Sequence, residues 1–474
     1  MPGRRRRPRR QPKAFADVHV HGIADRGAVV GRDPAGTVVF ARGPVPGDRV
    51  DLLAKKKKGV YQEGVATRYT GFAERRTVPF CRHFGACGGC SFQHMAYALQ
   101  LEAKATLVAD AYRRIGGLAD LPLEPILAAP ADRGYRNKME YAFAERRWLT
   151  EEEMALGHEQ VRPALGFHRR GAWNKVLDIQ ECHLEHAPGN DLRNALREVA
   201  LEQGLSFYDE GAHRGLLRKA TQRVLASGEV MLVLMLGEEQ PALVGAYLAE
   251  VLARCPFVTT AYTVVNAKLN DSMHGLTPVL AHGPEQVTEQ LGHVRFRIGP
   301  LSFFQTNTRQ AVRLYDVVAE YAGLDGTQTV YDLYAGVGSI GLYLARAARR
   351  VVAIEEVASA IDDAALNAEL NGITNFVGYA GDVGAVLTEA FAKTHGAPDV
   401  VVTDPPRAGM HADVIAMLVA LAAPRIVYVS CNPATQARDL KLLVAGGYCV
   451  ARARPVDMFP QTPHCEAVAV LERA

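Results

Sequence analysis

The segment Val429 to Leu440, VSCNPATQARDL, closes an apolar run, RIVYV, on Ser430 and Cys431 and turns at once into a helical pattern behind Asn432 and Pro433. A thiol on such a strand-to-helix turn stands where ligands gather, at the carboxyl end of a strand, and a helix N-terminus favours its thiolate. Cys431 is therefore a candidate nucleophile, with a buried packing cysteine as the alternative. Upstream, residues 336–341, GVGSIG, fit G-x-G-x-x-G between an apolar strand and a helix, and the acidic Glu355 follows one strand later. Such glycines admit a ligand close to the backbone, and the carboxylate can hold ribose hydroxyls. The pattern suits a dinucleotide or S-adenosylmethionine equally well.

Neighbouring residues narrow that choice. Asp332 precedes the glycines, whereas a dinucleotide fingerprint normally follows an uncharged strand. Asp382 and Asp404 stand at two further strand tips and would ring the same crevice. Asp404 opens DPPRAG, a rigid loop of the kind that in methyltransferases faces both the methyl donor and the target base. Amine methylases usually place an aromatic residue after the prolines, and here it is Arg407. RNA cytosine-5 methylases usually carry a cysteine in this loop, and here there is none, which leaves Cys431 as the thiol candidate. Carbon 5 of a uracil is a poor nucleophile. A thiolate added at C6 turns the ring into an enolate that can attack an electrophilic methyl, after which a base must remove the C5 proton before the thiolate leaves. MFPQTPHCEAVAVL offers His464 and Glu466 for that step, and Glu466 is the preferred base.

The elements that must position these residues follow from pattern. The length, 474 residues, implies two to four domains, and 48% hydrophobic with 22% charged residues is the composition of a soluble globular protein. No apolar run approaches the roughly 18 residues of a membrane span, and no apolar segment follows the basic N-terminus, so a cytoplasmic protein is expected. Residues 1–13 hold six Arg, one Lys and no acid; without those seven positive charges the net +3 becomes −4. This arm, with Lys55 to Lys58, is expected to be unfolded or solvated and to attract polyanions. Residues 15–72 alternate short β-rich runs with Gly and Pro turns, which predicts a small β-barrel. A helix is expected over about 95–117, and mixed α/β structure from about 131 to 295 with loops at 151–153 and 186–190. From about 310 the rhythm is strand, helix, strand with polar tips, a doubly wound sheet with its chemistry on one rim.

These motifs together resemble the RNA (uracil-5-)-methyltransferases, most of all the 23S ribosomal RNA enzymes with an N-terminal TRAM domain. The resemblance runs from about residue 15 to the C-terminus through C-x5-C-x2-C, YRNKMEYAF, SFFQTN, DLYAGVGSIG, DPPRAG, SCNPATQARDL and MFPQTPHCE. It implies a multidomain chain: a basic arm (1–14), an OB-like TRAM barrel (15–72), a central α/β iron-sulfur domain (73–295) whose helix near 95–117 packs on the catalytic domain, and a Rossmann-like methyltransferase domain (296–474). It implies Cys431 as nucleophile and Glu466 as base, and S-adenosylmethionine held by Gln305, Tyr334, Ser339, Glu355, Asp382 and Asp404; family members often have asparagine at positions 339 and 382. Cys81, Cys87, Cys90 and Cys182 resemble the ligands of a [4Fe-4S] cluster, with zinc the rival from spacing alone. Cys255, Cys449 and Cys465 read as packing residues, and Arg136 and Asn137 as lining the uridine pocket. The implied partner is RNA, ribosomal before transfer, bound by a monomer with no membrane. Two other classes remain open: an iron-sulfur nucleotide-dependent oxidoreductase and a non-catalytic RNA-binding factor.

Overall fold

The computed structural model describes residues 13–24, 27–58, 61–157, 163–172 and 174–474. The arginines of the basic arm lie outside those residues, and so do the side chains of Lys55 to Lys58. Strands β1 to β5 (Ala14–Ile23, Val29–Arg32, Val38–Arg42, Arg49–Lys58 and Tyr61–Gly71) close into a barrel in the order β1-β2-β3-β5-β4. Alternation along each strand sends Phe15, Val18, Val20, Val39, Val50 and Leu52 inward, and closure removes free edges. The expected helix is α1 (Tyr97–Ala111), continued by a π-helical turn over Tyr112–Gly116. It lies on the C-terminal unit: Val108, Ala111 and Tyr112 pack in that unit's core, and Tyr112 Oη donates to Gln436 Oε1 at 2.6 Å.

Strands β6 to β13 (Lys138–Ala144, Arg147–Trp148, Ala164–His168, Val176–Asp178, Leu217–Val224, Val230–Leu236, Thr260–Val265 and Val279–His282) form one sheet in the order β13-β12-β11-β10-β6-β8-β9-β7. Two expected loops are partly helical: residues 151–153 open α2 (Glu151–Ala155), and HAPGN runs into α3 (Gly189–Glu202). Helix α3 and α4 (Pro241–Arg254) cover one face of the sheet. The other face, through Met231, Val233 and Met235, packs toward the C-terminal unit, so every residue of β11 is buried.

A hairpin, β14 (Val287–Leu291) and β15 (Val294–Ile298), follows. Its inward Val287, Leu291, Val294 and Phe296 share a core with α5 (Thr308–Ala322). A boundary between residues 295 and 296 would cut β15 in two; the hairpin packs with the C-terminal unit.

That unit is built on β16 to β22 (Thr329–Leu333, Arg350–Glu355, Phe376–Ala380, Val400–Thr403, Arg425–Ser430, Tyr448–Val456 and Glu466–Arg473), in the order β18-β17-β16-β19-β20-β22-β21. The central strands are nearly continuous Val and Ile because both faces are covered. Helices α5, α6 (Ser339–Ala345) and α7 (Ala358–Leu370) contribute to the core on one face. After α8 (Val383–Val386) and α9 (Glu389–His395), the other face is covered by α10 (Ala412–Leu421) and α11 (Pro433–Ala445), joined by α1. Strands β16 to β20 run parallel, but β22 is antiparallel to both β20 and β21. Its first residue therefore stands on the rim where the parallel strands end.

Candidate active site

Ser430 pairs with Ala467 across β20 and β22, so the next residues along that rim, Cys431 and Glu466, come out side by side. Both line a cleft of about 1110 Å³, together with Gln305, Tyr334, Ser339, Glu355, Asp382 and Asp404. All eight residues singled out for catalysis or methyl-donor binding thus share one cavity.

The glycine loop is shaped for close approach. Gly336 has φ +55 and a Cβ there would meet open space, so the backbone faces the cleft bare. At Gly341 a Cβ would come within 2.7 Å of Asp332 Oδ2, the atom that accepts the Gly341 N–H at 2.8 Å. Asp332 is therefore the buried anchor of the loop. Glu355 accepts from Gly336 N and Val357 N, both at 2.9 Å, which fixes its carboxylate at the tip of β17. Ser339 Oγ is 2.9 Å from Tyr315 Oη, and Asp382 caps α8 by accepting from Ala385 N at 3.0 Å. The DPPRAG loop is strapped to α11: Asn432 Nδ2 donates to Arg407 O at 2.9 Å, Arg438 Nη2 to Ala408 O at 3.0 Å, and Met410 N to Asp439 Oδ2 at 2.8 Å.

The electrostatics reverse one expectation. A helix N-terminus was to favour the Cys431 thiolate. Instead burial, then the Glu466 and Asp404 carboxyls, push its pKa up to about 11. Asn432 already occupies the mouth of α11, accepting from Ala434 N. Burial and Asp404 raise Glu466 to about 8, and burial raises Asp404 to about 7. Arg407 is the cation that faces both Cys431 and Glu466 and lowers each. Sequence reading noted Arg407 only as a missing aromatic, because its role depends on groups from three strands.

A pH dependence follows. With Cys431 at about 11 and Glu466 at about 8, the thiolate and carboxylate forms are both scarce at pH 7 and both grow as pH rises. The free enzyme's kcat/KM for methyl transfer should therefore climb with pH, with a log slope approaching about 2 well below pH 8 and about 1 above it. A flat profile from about pH 6 to 9 would show that neither group is used in that form, and a slope of about 1 throughout that range would show that only the thiolate is.

His464, the other base considered, is exposed, with its ring edge-on to Phe459. Two further assignments are corrected. Arg136 lines a different cavity, and Asn137 is buried, donating to Gln305 O at 3.0 Å and Thr308 Oγ1 at 2.9 Å. Asn137 ties the central sheet to the Gln305 segment and does not line the cleft. Cys255 and Cys465 are buried as expected, but Cys449 is exposed, because β21 is an edge strand.

Cys81, Cys87, Cys90 and Cys182 line a second cavity of about 330 Å³. Among the described residues no three His, Cys, Asp or Glu side chains are grouped to hold a metal ion. Burial raises all four thiols, Cys90 and Cys182 to about 12.

A model of the tRNA (uracil-5-)-methyltransferase family matches residues 285–474. An uncharacterized RNA methyltransferase of Bacteroides thetaiotaomicron is 43% identical over 440 residues, covering 92% of this chain and 96% of its own length. One from Porphyromonas gingivalis is 44% identical over 443 residues, with 92% and 95% covered. Among solved structures, the Pyrococcus abyssi tRNA (uracil-54, C5)-methyltransferase, in complex with S-adenosyl-L-homocysteine, superposes with a TM-score of 0.72 at 28% identity, over 95% of this chain and 99% of that one.

Proposed function

Because the chain belongs to the RNA (uracil-5-)-methyltransferase family and is an S-adenosylmethionine-dependent RNA methyltransferase, we propose that it methylates C5 of a uridine through a covalent bond from Cys431 to C6. The observation that carries this reading is the pairing of a thiol and a carboxyl, Cys431 and Glu466, on one rim of a cleft that also holds the glycine loop. A nicotinamide-dependent oxidoreductase has no use for that pair, and a binding factor has no use for a carboxyl whose pKa is raised to about 8 beside a half-buried thiol.

Bound S-adenosylmethionine supplies an electrophilic methyl; Gln305, Tyr334, Ser339, Glu355, Asp382 and Asp404 line the cleft that would hold it. The Cys431 thiol gives up its proton to solvent in the open cleft, leaving Glu466 as the carboxylate, and the sulfur adds to C6 as the C5–C6 electron pair moves toward O4. Arg407, which faces Cys431 and Glu466, favours the charged form of each. C5 then forms its bond to the methyl carbon, the Glu466 carboxylate takes the C5 proton, and the C6–S bond breaks to return the thiolate. Glu466 must start deprotonated and Cys431 must end so, which matches their shared cation.

The barrel supports an RNA partner. Tyr69 and Phe72 stack at 5.2 Å, Arg76 lies over both rings, and Phe72 is 69% exposed, an arrangement on which an unstacked base can pile. Ribosomal RNA is the reading that the resemblance to the TRAM-bearing 23S ribosomal RNA enzymes favours. Transfer RNA is the second, favoured by likeness to the archaeal tRNA enzyme along nearly the whole chain. Mapping 5-methyluridine in both RNAs from a strain lacking the gene separates them: loss from 23S ribosomal RNA alone is expected, and loss from transfer RNA alone overturns the ribosomal reading. For the second cavity, four thiols spread around a space larger than one ion suit a [4Fe-4S] group, whose role would be structural. Iron and acid-labile sulfide in protein isolated without oxygen test that assignment, and their absence removes it.

A further inference from the structure

Glu466 opens β22 at the end of a hairpin, where Val456 pairs with it from β21. What fixes that end is the connection 457–465, and its first five residues are each gripped from elsewhere in the chain. Asp457, fully buried, accepts from Lys104 Nζ at 2.5 Å and Tyr97 Oη at 2.9 Å. Met458 O accepts from Asn307 Nδ2 at 3.0 Å, Phe459 O from Lys104 Nζ at 3.0 Å, and Pro460 O from Tyr135 Oη at 2.9 Å.

Gln461 is the centre of this grip. It is 2% exposed and held at φ +68, a left-handed backbone that glutamine rarely adopts. Its N–H donates to Gln100 Oε1 and its Oε1 accepts from Gln100 Nε2, both at 3.0 Å. Its Nε2 donates to Asp132 Oδ2 at 3.0 Å, and its carbonyl accepts from Ser91 N at 2.8 Å and Phe92 N at 3.1 Å. Three separate segments meet on one residue: α1 through Gln100, the end of the cysteine motif through Ser91, and the stretch before β6 through Asp132. From there the chain reaches Glu466 through a closed turn, Thr462 Oγ1 donating to Phe459 O at 2.8 Å and accepting from His464 N at 3.3 Å. A strained, fully hydrogen-bonded residue this near a reacting group is the pattern of a site whose geometry is over-determined.

We propose that Gln461 is the positioning residue for the base: it fixes the β21–β22 connection so that Glu466 meets the C5 proton, and it makes the base sensitive to the segment that follows Cys90. This rests on the roles given above to Cys431 and Glu466. A displacement of about 1 Å at a reacting group costs about 100-fold, so a loosened connection slows proton removal while thiol addition at C6 and methyl transfer to C5, which do not need the base, continue.

The two steps are read separately. RNA carrying 5-fluorouridine at the target gives a denaturation-resistant adduct without needing the base, since fluorine cannot leave as a proton; ordinary RNA needs both. Gln461→Gly keeps the left-handed backbone and removes only the side chain. It should form the fluorinated adduct within about twofold of the wild-type rate, yet turn over ordinary RNA about 10-fold or more slowly and accumulate a covalent complex. If both rates fall together, or neither changes, Gln461 is a structural residue and the proposal is overturned. Should Gln461→Gly fail to fold, Asp132→Ala, which removes a half-exposed partner of the Gln461 amide, is read by the same two rates and decides in the same way. Glu466→Gln, run alongside, separates the two levels. If it accumulates no complex, the base assignment itself is wrong; if it does and neither Gln461→Gly nor Asp132→Ala does, only the positioning role is lost.

Discussion

Cys431→Ala abolishes methyl transfer, on the order of 10⁴-fold or more in kcat, while S-adenosylmethionine binding is retained. The expectation follows from the chemistry of the ring. Without addition at C6, C5 has no electron density to give, and no other group in the cleft offers a nucleophile of comparable softness. Cys431→Ser keeps a hydroxyl in nearly the same place, but an alkoxide beside Glu466 and Asp404 is far harder to form than a thiolate, so serine does not rescue. Single-turnover methylation of RNA together with equilibrium binding of the methyl donor checks both halves. A Cys431→Ala enzyme retaining full activity would remove the covalent mechanism.

The second large effect belongs to Glu466→Gln. The amide is isosteric and cannot accept the C5 proton, so methyl transfer proceeds and elimination stops. Product release should fall by about 10²- to 10⁴-fold, and ordinary RNA should remain bound to the protein through denaturing electrophoresis. Removing the carboxyl also takes away one of the groups that raise Cys431, so adduct formation in this variant should not slow. Release of methylated product at the wild-type rate would assign the proton to another group. His464 would then have to turn inward from its exposed position beside Phe459.

Much of the site was legible because a parallel sheet maps sequence onto space. Each Val- and Ile-rich run points its carboxyl tip to one rim, so Glu355, Asp382, Asp404 and Cys431 could be gathered into one cleft from their places after such runs. The barrel was legible for a related reason, since its short alternating strands and turns are local signals. Glu466 reaches the rim by a different route, the reversal of β22, which pattern alone does not reveal.

What stayed hidden is non-local. The thiol of Cys431 was expected to be easily ionised on the strength of the helix behind it, whereas two carboxyls from β19 and β22 and the surrounding burial outweigh that helix. Arg136 and Asn137 were placed in the pocket by the resemblance of their motif, yet Asn137, just before β6, binds the Gln305 segment and Arg136 lines the cysteine cavity. The grip on the 457–461 connection joins Lys104 to Asp457 and Gln100 to Gln461 across more than 350 residues, beyond the reach of any spacing rule. The hairpin β14–β15 has a strand pattern that fits either neighbouring domain, and only its packing on α5 assigns it.

The central claim is a transient bond between the Cys431 sulfur and C6 of a uridine. Wild-type protein incubated with S-adenosylmethionine and RNA bearing 5-fluorouridine, then digested and weighed by mass spectrometry, reports on it directly. The predicted product is the peptide containing Cys431, heavier by a methylated fluorinated nucleotide. An adduct on any other residue, or none from a preparation that methylates ordinary RNA, would contradict it.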